Sequence, residues 1–399
     1  MTATEQVVRR SVPFLYLFIG LEIIIMISPF AAYFYAVYGP LLDFFYGFKA
    51  TAWLTGFFLP HAVVSKSPLL NFLNAFGRTI FSLGIIAFLI GAIQIYSAKF
   101  RRKPVVTSLL YRWIRHPQYL FLAISGLGLL LFWPRFMILF FYINMLFIYY
   151  LLARYEEKRM AQKHGDSYRK YMESTAMFIP WEPGEKIFRA LFGWMKPHGL
   201  ALFVSYGLVL VLAIIVALGL RGYTRSQIST VYLAEKNITA ISVLPNSEES
   251  LREIVDVALT DSTVNSFLSN YQQEGHKGFL VHIMPQTYMM QGLFVQPFES
   301  KMTPGRRLSW RTVVGFVFPF LSSRGHHRMG GMNNGPVRLI FSQLTWADGA
   351  YAPANEAWNF MVKHLPILKV DIDFENQKVR TVDRTSKRNF WGQMPMPLF

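Results

Sequence analysis

Two short stretches carry the side chains of greatest chemical capacity in this 399-residue sequence. The first runs Tyr111-Arg112-Trp113-Ile114-Arg115-His116-Pro117-Gln118-Tyr119. The second holds Glu156-Glu157, then His164-Gly165-Asp166-Ser167-Tyr168-Arg169-Lys170-Tyr171, then Phe178-Ile179-Pro180. His116 precedes a proline and is biased out of the helical region, whereas Pro117 suits the first turn of a helix. Arg115 and His116 therefore stand at a helix start, where backbone N–H groups and a cationic side chain together suit a carboxylate. Glu156 or Glu157 suits a cationic group, and Tyr119, Tyr168 and Tyr171 offer rings that stack on a planar base or face a cation. Plainer roles stand beside these: Arg115 and His116 as anchors at a helix end, Glu156 paired to Arg159 at helical spacing, and Tyr168 and Tyr171 in an aromatic belt.

The elements that must bring the two stretches together are apolar. A bilayer core of about 30 Å needs about 20 apolar residues in a helix. Residues 11–35, 79–98, 136–153 and 197–220 meet that length, and 119–133 is shorter but largely apolar and bounded by His116-Pro117 and Pro134-Arg135. The piece 50–64 is broken by Pro60 and His61 and flanked by Lys49 and Lys66; it reads as a short span, a re-entrant segment or an interfacial helix. Basic clusters at Arg9-Arg10, at 99–115 and at 154–196 belong on the cytoplasmic side by the positive-inside rule. The hairpin 119–153 joins the last two, so both halves of the chemical stretch return to one face. The first two agree if one hairpin lies between them, which argues against a full span at 50–64. The expectation is an α-helical membrane domain of about five spans over 1–220, a sixth span being the alternative. An extracytoplasmic α+β domain follows over 221–399.

Composition supports that division. Hydrophobic residues make up 53% and charged residues 16%, against soluble norms of about 45–50% and about 25%. Residues 1–220 hold 21 of the 40 Lys+Arg and 9 of the 23 Asp+Glu, so the net charge of +17 reads as orienting loops and not as a nucleic-acid surface. With no cysteine, disulfides, Cys-based zinc sites and a Cys nucleophile are excluded. The start of the chain reads as a retained first membrane helix and not a cleaved signal. In the second half, periodicity points to helices at 247–259 and 262–271 and strands at 278–284, 313–318, 337–344 and 368–373, with a hairpin across 370–382. The loop Arg324-Gly325-His326-His327-Arg328-Met329-Gly330-Gly331-Met332 invites a metal reading, but adjacent residues rarely point together, and no metal site is expected. Asn237-Ile238-Thr239 matches a glycosylation acceptor.

An Arg-His-Pro-x-Tyr step opening an apolar hairpin, then Glu-Glu, Gly-x-x-Tyr-x-x-Tyr and Ile-Pro, resembles the signature of the isoprenylcysteine carboxyl methyltransferase and phospholipid methyltransferase group. The resemblance covers roughly residues 78–182. It implies S-adenosylmethionine as cofactor, held by His116, Pro117, Tyr119, Glu157, Tyr168 and Tyr171. Arg115 and Glu156 become the catalytic candidates, acting on a lipid-linked acceptor that enters from the bilayer. Phe121 stands where the family commonly has a small residue.

The leading reading is thus a membrane-embedded methyltransferase in a bacterial inner membrane, with membrane lipids as partners. A second reading is a non-catalytic subunit that keeps the fold and docks onto other subunits of a complex through 221–399. A third is a sterol-reductase-like protein with a similar His-Pro-x-Tyr step, which the Glu-Glu and Gly-x-x-Tyr-x-x-Tyr steps oppose.

Overall fold

The computed structural model describes residues 39–100, 109–180, 183–273, 278–286, 336–346 and 348–385, together with Leu17, Gly275 and Tyr288. Its helices are α1 (Gly39–Tyr46), α2 (Pro68–Phe100), α3 (Pro117–Phe132), α4 (Phe136–His164), α5 (Asp166–Ser174), α6 (Pro183–Phe192), α7 (His198–Gln227), α8 (Glu248–Thr260) and α9 (Ser262–Gln273). Its strands are β1 (Thr230–Leu233), β2 (Ile238–Ser242), β3 (Phe279–Pro285), β4 (Val337–Trp346), β5 (Val362–Asp373) and β6 (Lys378–Arg384). The chain divides into two compact units. The first takes residues 1–30, 76–132 and 138–216; the second takes 31–75, 133–137 and 217–399. The second unit thus includes two pieces from the N-terminal half, 31–75 and 133–137.

In the first unit, α2, α4 and α7 are long and apolar enough to cross a membrane, and α3 is a shorter apolar helix. The expected span at 11–35 lies, Leu17 apart, outside the described residues, which carry three long candidates. The helices outrun their apolar cores: α2 begins eleven residues before position 79, with proline in its first turn, and α4 continues to His164. Of the most apolar window of α4, 56% is buried, against 17% for α2 and 11% for α7. α4 is therefore the central helix, and the other two turn apolar faces outward. α2 and α3 approach closely through small residues. A Cβ on Gly84 would lie 2.7 Å from the Ser125 backbone nitrogen, and one on Gly77 would lie 2.8 Å from the Gly128 carbonyl. The Ser125 hydroxyl donates to the Phe81 carbonyl at 3.1 Å, the small-residue packing that apolar helices use where water exclusion gives no drive. Between α4 and α7, Tyr206 donates to Asn144 Oδ1 at 2.8 Å.

In the second unit, β1 to β6 form one sheet in sequence order. All neighbours are antiparallel except β2 and β3, whose parallel pairing is bridged by α8 and α9, as a crossover requires. β3 is buried at all seven positions, while the edge strand β6 is mostly exposed and charged, which blunts edge pairing. α8 starts at Ser247, whose side chain accepts from the Ser250 N–H, and lays Leu251, Ile254, Val255 and Ala258 into the core. Helices α8 and α9 and strands β3, β4 and β6 fall where periodicity put them, and β5 starts six residues before the expected 368. Strands β1 and β2 were not anticipated, and 313–318 lies outside the described residues.

The ambiguous segment 50–64 is not a helical span. After one 3-10 turn at Ala52–Thr55 it runs irregularly and joins the sheet unit: Val63 enters its core, and the Val64 N–H donates to the Val243 carbonyl at 2.9 Å. Asn237, the candidate glycosylation acceptor, has left-handed backbone (φ 49°), and its Oδ1 accepts from the Ala354 N–H at 3.0 Å. Here it serves as a structural loop residue.

Candidate functional site

The two chemical stretches meet in the first unit. Residues 113–116 run alongside 176–177 as a short parallel pair: the Arg115 and His116 N–H groups donate to the Ala176 and Met177 carbonyls at 2.8 and 3.1 Å, and the Ala176 N–H donates to the Trp113 carbonyl at 3.3 Å. Pro117 then opens α3, and the Leu120 N–H returns to the His116 carbonyl at 3.2 Å. This local fold follows from the proline, which ends the extended run and starts the helix.

Arg115 points inward. Its Nε meets Glu157 Oε1 at 2.5 Å, and its Nη1 donates to the Met172 carbonyl at 2.7 Å and to the Thr175 carbonyl. Both partners of this ion pair are about nine-tenths buried or more. His116, also buried, sits between the two carboxylates, with Nδ1 3.5 Å from Glu156 Oε2 and Nε2 3.4 Å from Glu157 Oε1. Those contacts are electrostatic, being long for good hydrogen bonds. Glu156 is the accessible carboxylate: its side chain is 31% exposed, and its Oε1 accepts from the Tyr119 hydroxyl at 2.9 Å. The Tyr119 ring stacks on His116 at 5.6 Å and on Tyr149 at 5.0 Å.

The two remaining tyrosines do different work. Tyr171 donates to the Tyr111 carbonyl at 2.6 Å and so ties α5 to the loop that carries Arg115. Tyr168 is buried with its ring 5.8 Å from Tyr171; burial, and then the charge of Glu157, push its hydroxyl up to about 12. Burial likewise raises Tyr171. Both are neutral at physiological pH, and Tyr171 holds the loop.

The structure therefore brings Arg115, His116, Pro117, Tyr119, Glu156 and Glu157 into one cluster, with Tyr171 bracing the loop that presents it. It differs from the sequence reading at Arg115 and at Glu157, which the resemblance assigned to the cofactor and which is buried against Arg115. Arg115 was expected to face an external carboxylate, but it spends its fork on Glu157 and two carbonyls; the reason is that a buried guanidinium and a buried carboxylate are both costly without a partner. Arg115 and Glu157 thus position the cluster, and Glu156 and Tyr119 face outward from it.

Beside the cluster lies a cavity of about 570 Å³, within the size range of ligand sites. Phe147, Tyr150 and Arg154 of α4, Phe178, Phe188 of α6 and His198 of α7 line it. Phe178 joins cavity and cluster, its ring lying 5.9 Å from His116. Sequence reasoning missed Tyr149, Tyr150 and Arg154, although Tyr149 stands seven residues before Glu156 and so shares its helix face. Among the described residues, no group of three or more His, Asp or Glu gathers as metal ligands; the loop 324–332 lies outside them.

Residues 72–167 match the family model described as phospholipid methyltransferase, the family of the isoprenylcysteine carboxyl methyltransferases. The matched segment holds α3 and α4 and the whole cluster from Arg115 to Glu157. No curated protein and no solved structure matches the chain. Among the described residues, three helices are long and apolar enough to cross a membrane, and the likeness to a membrane methyltransferase family covers residues 72–167.

Proposed function

On the premise that residues 72–167 are a phospholipid methyltransferase segment, we propose that the chain transfers a methyl group from S-adenosylmethionine to a lipid-linked acceptor. The observation that carries this reading is the junction at Phe178, where the Glu156–Tyr119–His116 cluster adjoins an aromatic cavity of about 570 Å³. The residues present fit the cofactor. Glu156 and the rings of Tyr119, Tyr150 and Phe178 suit a sulfonium and a base, and Arg154 in the cavity wall suits a carboxylate. When bound, the cofactor supplies an electrophilic methyl group.

The protein's share is positioning and proton handling. The Arg115–Glu157 pair locks the entry of α3 against α4, which holds Glu156 and Tyr119 at a fixed separation. Such preorganisation is what in-line transfer needs. A carboxylate acceptor is already a nucleophile and needs no base. For an amine or hydroxyl acceptor, Glu156 takes the proton at its carboxylate, within reach of the Tyr119 hydroxyl. The outward apolar faces of α2 and α7 suit entry of the acceptor from the bilayer. Topology follows the basic loops, with 99–118 and 154–196 cytoplasmic and the sheet unit across the membrane, in a bacterial inner membrane.

One observation favours a second reading. The buried charges of the cluster already satisfy one another, as they would in a subunit that keeps the fold for assembly and binds other subunits through 221–399. Incubating the detergent-purified full chain with a lipid extract and methyl-labelled cofactor tests the first reading. Label in the lipid fraction is expected; none, from a protein that also fails to bind cofactor, supports the subunit.

A further inference from the structure

We propose that the second unit contains a binding site for a phosphate group, built by Arg135 and Arg221. Four separate parts of the chain converge on it: the irregular segment after Ala52–Thr55, the turn before α4, the last turns of α7 and the loop before β5. The cavity they enclose measures about 30 Å³. Among the described residues, its lining holds two guanidiniums and the His364 imidazole and no Asp or Glu. Arg135 is 1% exposed and Arg221 is 7% exposed.

Both guanidiniums are held in the same manner. Arg135 lies over the Phe57 ring at 4.1 Å and donates to the Thr55 carbonyl. Arg221 lies over the Phe360 ring at 4.2 Å, donates to the Phe57 carbonyl, and donates to the Trp358 carbonyl at 3.2 Å. Ring faces and carbonyl dipoles fix each fork in orientation and offset part of the cost of burying it. They also leave the cavity walls cationic. Phe360 packs directly on Gly56, where a Cβ would meet its Cδ1 at 2.8 Å. The carboxylate of that loop, Glu356, accepts from Asn359 Nδ2 at 3.1 Å and lies outside the lining.

Two preoriented guanidinium forks on a concave wall are the chemistry that recognises an oxyanion. The volume sets which part of it enters. A water needs about 10–15 Å³ of such space, so about two oxygen atoms fit and a whole phosphate does not. The ligand inserts two non-bridging oxygens and leaves its ester side outside, as the phosphate of a lipid headgroup or a free phosphate can.

Thermal unfolding of the detergent-purified full chain tests this at constant ionic strength. The probes are sodium phosphate, dihexanoyl phosphatidylglycerol, uncharged dihexanoylglycerol and sodium chloride. A saturable rise in midpoint with phosphate or the phospholipid, and none with the two controls, is expected. A rise with both shows that the phosphate group alone suffices. A rise with the phospholipid only assigns a headgroup, and one with phosphate only assigns the free ion. Arg221→Lys keeps the charge and loses the fork, and should raise the half-saturating concentration about tenfold or more. Asn359→Asp, on the exposed rim and nearly isosteric, should do the same by repulsion and serves if the first variant fails to fold. No saturable rise with either phosphate probe, a rise matched by chloride, or half-saturation unchanged in a folded variant overturns the proposal.

Discussion

The two units bury arginine by different means. In the first, Arg115 is neutralised by Glu157, and the pair is sealed with His116 between α3 and α4. In the second, Arg135 and Arg221 rest on aromatic rings and donate to carbonyls around a small cavity. A salt bridge between elements 42 residues apart works as a clamp whose loss exposes a lone buried charge. Guanidiniums on rings and carbonyls are instead held in orientation along a cavity wall. The first arrangement fixes the geometry of the cluster around Glu156, and the second lines a cavity.

Breaking the clamp should give the largest effect. Arg115→Met leaves the buried Glu157 carboxylate without its main partner and should cost about 3–5 kcal/mol, read as lost stability to denaturant in detergent. The double variant Arg115→Met/Glu157→Leu should recover a large part of that loss, because both charges are then gone. If the double variant is as unstable as the sum of the single ones, the pair is not the clamp described here.

Comparable in size is the acid response of the sheet unit. His282 and His364 lie buried in β3 and β5, where burial lowers them from about 6.5 to about 3 and about 4. The folded state keeps both neutral, while the unfolded chain takes up protons below about pH 6.5. Their contribution to stability is therefore complete above that pH and is lost as pH falls toward 4, by about 1.36 kcal/mol per pH unit for each histidine. A pH series of chemical unfolding, followed through the sheet signal, should show this slope between pH 6 and 4.5. His282→Leu should flatten it; an unchanged slope removes His282 from the account.

Legibility in the sequence followed the range of the interaction. The hairpin 370–382 and the start of α8 at Ser247 are local patterns of alternation and capping, so they could be read. β1 and β2 have four and five residues, too short for periodicity, and β2 owes its burial to β3, 41 residues later in the register of Ile238 with Phe279. The segment 50–64 looked membrane-compatible because its apolar side chains are visible in sequence. The Pro134 and Val243 carbonyls that accept from its Phe58 and Val64 N–H groups are not. At the site, the residue types and the meeting of the two stretches were legible, because a hairpin must return the chain. The pairing of Arg115 with Glu157 was not, since Glu156 and Glu157 are equivalent until helix phase decides which one faces inward.

A smaller effect separates the inward from the outward carboxylate. Tyr119→Phe removes the hydroxyl that donates to Glu156 and should cost about 0.5–1.5 kcal/mol of stability, less than any change at Arg115. Equal costs at the two positions would mean that the cluster has no inner and outer side.

Equilibrium binding of S-adenosylmethionine to the purified full chain, measured by calorimetry on wild type and on Glu156→Gln, tests the central claim most directly. Saturable binding to wild type is expected, weakened in the variant by about 1.5–3 kcal/mol, the size of a charge-assisted contact. Absence of binding to wild type at millimolar cofactor would contradict the methyltransferase reading.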